Sequence, residues 1–419
     1  MKIISKALMV AVIVVFSIFI HEFADEQFSI PLLYLSFVMP FLYAINLCIG
    51  KIKLDKIDIL FIVQMILMYI FAAYHSDAFR QSTVLYSFLF IFTFLYYRKL
   101  LLSKSLPVDE LLGLLRYLMY AYAFVMLIQQ VQLYVLHTSV SNSGQLASNA
   151  IGNAQKLNSL AIESSNVPLI ELLLLNLYLG IDEHLHKYSK NISKSFVRNK
   201  IIWICFIYTL ISTTSLTSLF VIIIFLFRFI KLNLRSVLVA LFFITSLFAI
   251  LNVSFQDNVD RFVNVIVSFS SLDTTKIIAN DSSSAARLFP FIEYYNVFNI
   301  TDINTWIGHG NDSFSRHINI VMFGDPDMNE GVGNIAGFFY DYGLIVALLF
   351  FFILKITFKC KVLSYEVFMY IFCFSILTIN HYVLWTYIIY MYTGNKYREF
   401  IGASLIFSKV TDHERKLAI

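Results

Sequence analysis

The chain has 419 residues, 59% of them hydrophobic and only 14% charged, with 31 Lys and Arg against 27 Asp and Glu for a net charge of +4. Soluble domains carry about 25% charged residues, so a mean hydropathy of +0.74 excludes a water-soluble core of this length and makes the bilayer the solvent. The small positive balance excludes a nucleic-acid footprint and fits basic residues gathered on one side of a membrane.

A membrane-spanning helix needs about 20 apolar residues. Taken in chain order, the apolar runs predict about twelve spans, at 6–20, 28–49, 57–74, 82–97, 111–136, 168–181, 201–212, 217–230, 236–251, 336–355, 365–378 and 381–392. The expected fold is therefore all-α, a polytopic integral membrane protein forming one transmembrane domain over residues 1–419. Lys2 and Lys6 precede the first run, and His-Glu-Phe-Ala-Asp-Glu follows it without a small-residue cleavage site, which reads as an uncleaved helix. Basic loops around Lys51–Lys56, Arg98-Lys99, His186-Lys187 and Lys359–Lys361 alternate with acidic or neutral ones. Placing the basic loops in the cytoplasm puts both termini inside. Of the Lys and Arg, only Arg80, Lys156, Arg261, Lys276, Arg287 and Arg316 then lie outside. The polar stretch 252–335, between spans nine and ten, becomes one large extracytoplasmic loop, with 137–167 on the same side.

Between two short apolar runs, Ser212-Thr-Thr-Ser-Leu-Thr-Ser carries no charge. It is either a tight outer hairpin or a broken helix whose hydroxyls satisfy freed backbone groups. The cysteines Cys48, Cys205, Cys360 and Cys373 form neither a disulfide framework nor a CxxC pair.

Chemistry is expected on the outer face. Arginine suits bidentate recognition of phosphate, which makes Arg80, Arg261, Arg287 and Arg316 candidates; solvated pairs with aspartates such as Asp281 or Asp302 are the plainer alternative. In Trp306-Ile-Gly308-His309-Gly310 the two glycines suggest a tight backbone path near a ligand or a helix end, and His309 is either a base or an exposed turn residue. Glu163 and Glu330 precede spans; each is a candidate base or a favourable charge at a helix N-terminus. Asp341 lies near the same interface. Asp325–Glu330 is acidic but lacks the spacing of a calcium loop, and neither a metal nor an organic cofactor is expected.

Four segments resemble the O-antigen polymerase family (Wzy type), within the O-antigen ligase-like membrane glycosyltransferases. They are Glu163-Ser-Ser, where such proteins often have Glu-Pro-Ser; Leu210-Ile-Ser-Thr-Thr-Ser-Leu-Thr-Ser-Leu; Ser284-Ala-Ala-Arg287 leading to Trp306-Ile-Gly-His-Gly; and Asn329-Glu-Gly-Val-Gly-Asn with Tyr342-Gly-Leu. The resemblance spans the whole topology, although its motifs are short and Ser164 replaces the proline. It implies a polymerase joining undecaprenyl-diphosphate-linked oligosaccharide repeat units into O-antigen or related surface polysaccharide. An acceptor hydroxyl would attack the anomeric carbon while arginines such as Arg287 and Arg80 stabilise the departing lipid diphosphate. Glu330, Glu163 and His309 are the candidate bases, and Arg261, Arg316, Trp306, Gly308 and Gly310 would line the substrate. A chain-length regulator and a flippase are the implied protein partners, beside membrane lipid. A ligase, or a lipid-linked glycan flippase or transporter, is the alternative.

Overall fold

The computed structural model describes residues 2–19, 29–75, 81–136, 149–151, 154–161, 164–188, 191–213, 215–229, 282–323, 334–359, 364–377 and 379–417. Except for one short antiparallel hairpin, β1 (Asn149–Ile151) and β2 (Ala154–Lys156), the regular structure of the described residues is helical. In chain order the helices are α1 (Lys2–Ser17), α2 (Ile30–Cys48), α3 (Lys56–Tyr74), α4 (Gln81–Leu102), α5 (Val108–Tyr134), α6 (Asn166–His186), α7 (Ile192–Arg198), α8 (Lys200–Ser212) and α9 (Leu216–Phe227). After the segment 230–281 come α10 (Ser282–Val297), α11 (Ile303–Ile307), α12 (Ser313–Phe323), α13 (Ile335–Phe358), α14 (Tyr365–Ile376) and α15 (Tyr382–Leu417).

Among the described residues, five helices are long and apolar enough to cross a membrane: α2, α3, α4, α5 and α13. The bent pair α7 and α8, with 101° between its halves, makes a sixth if counted as one span. The predicted runs 201–212 and 217–230 fall on α8 and α9, of 13 and 12 residues. At 1.5 Å per residue these reach only about 20 Å, against a hydrocarbon core of about 30 Å. The predicted run 236–251 lies outside the described residues.

The chain divides into two compact units. The first comprises Met1–Leu35, Tyr97–Val237 and Thr386–Ile419. Its centre is α6, apolar on every side and buried along almost its whole length, packed by α5, α8 and α9. At its C-terminal end the buried Asp182 accepts from Asn199 Nδ2 at 2.9 Å, Arg198 Nε at 3.3 Å and the Tyr188 hydroxyl. The next residue, Glu183, pairs with Arg228 Nη2 at 2.9 Å, and Arg228 Nη1 donates to Asn176 Oδ1 at 2.6 Å. Between α8 and α9, Ser215 caps α9 by accepting from Thr217 N, and the Thr213 and Ser218 hydroxyls pair at 2.6 Å. The uncharged Ser/Thr segment is therefore a turn between two helices that satisfies its own backbone ends.

The second unit comprises Ser36–Tyr96 and Leu238–Trp385. Helix α3 opens on a reciprocal cap between Asp55 and Asp58 and packs along α13, where Gln64 Nε2 donates to Val346 O at 3.0 Å. Phe338, Phe350, Phe374 and Trp385 interlock edge-on or tilted in its interior. The predicted outer loop is partly helical: α10, α11 and α12 lie within it and all pack on α13, around a small core of Phe289, Phe314, Ile318 and Ala336.

Candidate functional site

The site of the second unit is built on a break in α13. Gly343 departs from helical geometry at φ 77°, ψ 168°, a region that is essentially glycine-only. A break frees carbonyls that the next turn would have used. The turn after α11 takes them: His309 N donates to Tyr340 O at 2.9 Å and Gly310 N to Asp341 O at 3.2 Å. Gly308, at φ 89°, ψ 173°, permits this approach, because a Cβ there would stand 2.2 Å from Asp341 O. The two predicted glycines do mark a tight backbone path, and its neighbour is the broken helix.

Asp341 fixes the other side of the turn. It is half-buried, and its carboxylate accepts from Phe314 N at 2.9 Å, Ser313 Oγ at 3.1 Å and Asp312 N at 3.2 Å. It thus caps α12 from a different helix, in the manner of an N-cap residue. Asp312, with a left-handed φ of 64°, accepts in turn from Thr83 Oγ1 at 2.6 Å. Asp341→Ala would strand the two amides, and a loss of about 2 kcal/mol is expected. Thermal melting of the purified protein reads this directly; a variant as stable as wild type would show that water replaces the cap.

His309 sits on this scaffold. Its ring stacks on Tyr340 at 4.0 Å between centroids and 10° between planes, and its Nδ1 lies 3.2 Å from Tyr340 O. A carbonyl only accepts, so Nδ1 carries the proton and Nε2 presents a lone pair. Burial holds the imidazole below its usual value, with the Tyr340 carbonyl and Asp302 pulling the other way and His75 and His317 adding to the lowering. The result is a neutral, oriented imidazole, suited to accept a proton.

Around it lie residues that no motif marks. His317 Nε2 is 2.9 Å from Glu293 Oε1, and the His317 ring stacks on Tyr340 at 6.0 Å and 17°. One phenol ring thus carries two imidazoles, one of them held by a carboxylate. Nearby, burial pushes the Tyr294 phenol up to about 12. Arg316, between Phe314 and Ile318 in sequence, is half-buried, and its Nε has no partner among the described residues.

The predicted residues therefore separate. His309, Gly308 and Gly310 form the turn. Trp306 is the last but one residue of α11, with its indole N–H donating to Ile300 O at 3.0 Å and about a third of its surface exposed. Arg287 lies on α10, six residues before Glu293; its side chain, and all of Arg80, Glu163, Arg261 and Glu330, lie outside the described residues. The N-cap of α13 is Asn334, which accepts from Gly337 N at 3.1 Å. No group of three or more His, Cys, Asp or Glu is placed to hold a metal ion among the described residues.

A helical fold with several long apolar segments suits a membrane-embedded protein, and the site is a histidine turn seated on a broken apolar helix. No family model, no curated protein and no solved structure matches the chain.

Proposed function

We propose that the chain is a membrane glycosyltransferase of the O-antigen polymerase type. It joins undecaprenyl-diphosphate-linked oligosaccharide units into surface polysaccharide at the periplasmic face of a bacterial inner membrane. In this reading about twelve helices cross the bilayer, both termini are cytoplasmic and 252–335 forms the periplasmic region. The observation that carries the reading is the neutral His309 with its free Nε2, held on the same short helical region as Arg316, Trp306 and Arg287. An acceptor sugar hydroxyl gives its proton to Nε2 as its oxygen attacks the anomeric carbon, and the lipid diphosphate departs with the bonding pair. Arginine guanidinium groups balance the charge on that leaving group. Glu330 and Glu163 are the other candidate bases, and a chain-length regulator and a flippase are the partners.

The test is the surface-glycan banding of a deletion strain complemented with wild type or Arg287→Ala. A single-repeat band in the deletion, extended to a ladder by wild type alone, supports the polymerase and a role for Arg287. Long polymer retained on the lipid carrier would replace it with a ligase. Units trapped on the cytoplasmic face would replace it with a flippase or transporter, a second reading favoured by one observation: the lone buried carboxyl of Glu171 in α6.

A further inference from the structure

In α6, Glu171 is fully enclosed, and both of its carboxyl oxygens are without a hydrogen-bond partner among the described residues. Its helix neighbours Leu169, Ile170, Leu172, Leu173, Leu174 and Leu175 are all buried and apolar. The other two acids of the helix are treated differently: Asp182 is bonded by Tyr188, Asn199 and Arg198, and Glu183 by Arg228. An isolated carboxylate in such surroundings is costly by tens of kcal/mol, and it persists only when neutralised. Ionisable groups in apolar helices are rare and mark ion or proton pathways.

A second orphan lies at the same level. Asn199, at the start of α8, bonds Asp182 near the end of α6, and Cys205 further along α8 is within electrostatic reach of Glu171, so α8 runs back along α6. Arg228, just past α9, reaches Asn176 and Glu183, so α9 returns parallel to α6. Thr217 is eleven residues back from Arg228; at 1.5 Å per residue this is about 16 Å, which brings it level with about residues 165–172 of α6. The Thr217 hydroxyl is buried and also without a partner among the described residues. On α8, Cys205 lies within electrostatic reach of the Glu171 carboxyl. The hydroxyl-rich turn 212–218 therefore stands at the end of α6 where Glu171 sits, about 7 Å from the helix start.

We propose that Glu171 is a proton-binding site that takes up and releases a proton through the Ser/Thr turn between α8 and α9. A proton fits better than a metal cation: one carboxylate and one hydroxyl are fewer oxygens than a hard cation takes. Uptake converts the carboxylate to the neutral acid by a proton from water, and release reverses it; no other reactant is needed. The proposal is independent of the polymerase reading, because it is tested without substrate.

The experiment uses the full chain in lipid vesicles and reads the infrared carbonyl band of a protonated carboxyl, with Glu171→Gln as the subtraction. A band present in wild type, absent in the variant and lost on raising the pH supports the site. Dicyclohexylcarbodiimide, which reacts with the protonated acid, should label Glu171 while the band is present and lose the label with the band. Glu171→Gln keeps the shape of the neutral acid, so its thermal melting should match or exceed that of wild type. A band that never changes with pH would make Glu171 a static acid and overturn the proposal. Loss of the band or label on adding sodium at constant pH would overturn the proton in favour of a sodium ion.

Discussion

Gly308→Ala is expected to destabilise the protein by about 3 kcal/mol or more, which places it among the severe single substitutions. Two costs combine. The backbone at φ 89°, ψ 173° is strained by about 1–3 kcal/mol for any residue with a side chain. The new methyl would also meet backbone, with Asp341 O at 2.2 Å and Tyr342 C at 2.7 Å, and backbone does not swing aside as a flexible side chain would. Gly343→Ala attacks the same contact from the other side, its Cβ lying 2.4 Å from Gly308 N and from Trp306 O. Because either substitution lifts the turn off α13, the double variant should melt close to the worse single one rather than at the sum. Gly113→Ala is the control: it lies inside α5 with nothing within 4 Å and should gain about 0.5–1 kcal/mol. Melting of Gly308→Ala within about 0.5 kcal/mol of wild type would show that the turn is not seated on the break.

The same glycines show where the sequence was readable. Trp306-Ile-Gly-His-Gly stood out because paired glycines in a polar stretch have few other uses. Its partner was read only as part of a segment resembling the entry to a span: Tyr342-Gly-Leu sits at the start of an apolar run, where a glycine looks like a tolerated small residue. Only the pairing of His309 N with Tyr340 O, 31 residues apart, makes it a break. Tyr340 was hidden by the same apolar setting, and Asp341 was read only as an acid near the interface, not as a cap on another helix. Glu293 and His317 are 24 residues apart with no spacing that links them, although His309, Arg316 and His317 within nine positions are dense for this chain. The long helices were legible because hydropathy alone specifies them. The runs 201–212 and 217–230 were legible as the helices α8 and α9, of 13 and 12 residues, each shorter than the about 20 residues of a straight span.

His309→Asn separates the chemistry from the scaffold. The asparagine amide nitrogen sits where Nδ1 does and can still donate to Tyr340 O, so the turn should stay seated and neutral-pH melting should change little. What is lost is the lone pair at Nε2. If that nitrogen accepts the acceptor hydroxyl's proton, polymerisation of lipid-linked repeat units should fall by about 10²–10⁴-fold. The pH dependence supplies a second readout. Burial lowers the His309 pKa in the folded chain, while the unfolded chain titrates near 6.5. Between those values the unfolded chain binds the proton first, so stability from this group is full above about 6.5 and declines as the pH falls towards the folded value. Wild type should therefore hold its activity somewhat below pH 6.5 and then lose it, with part of its melting temperature, as the imidazole protonates. The acid-side fall in stability should be shallower in His309→Asn. An unchanged polymerisation rate in this variant would remove His309 as the base and leave Glu330 or Glu163 in that role; an unchanged rate with the wild-type acid limb intact would also mean that the limb belongs to another group.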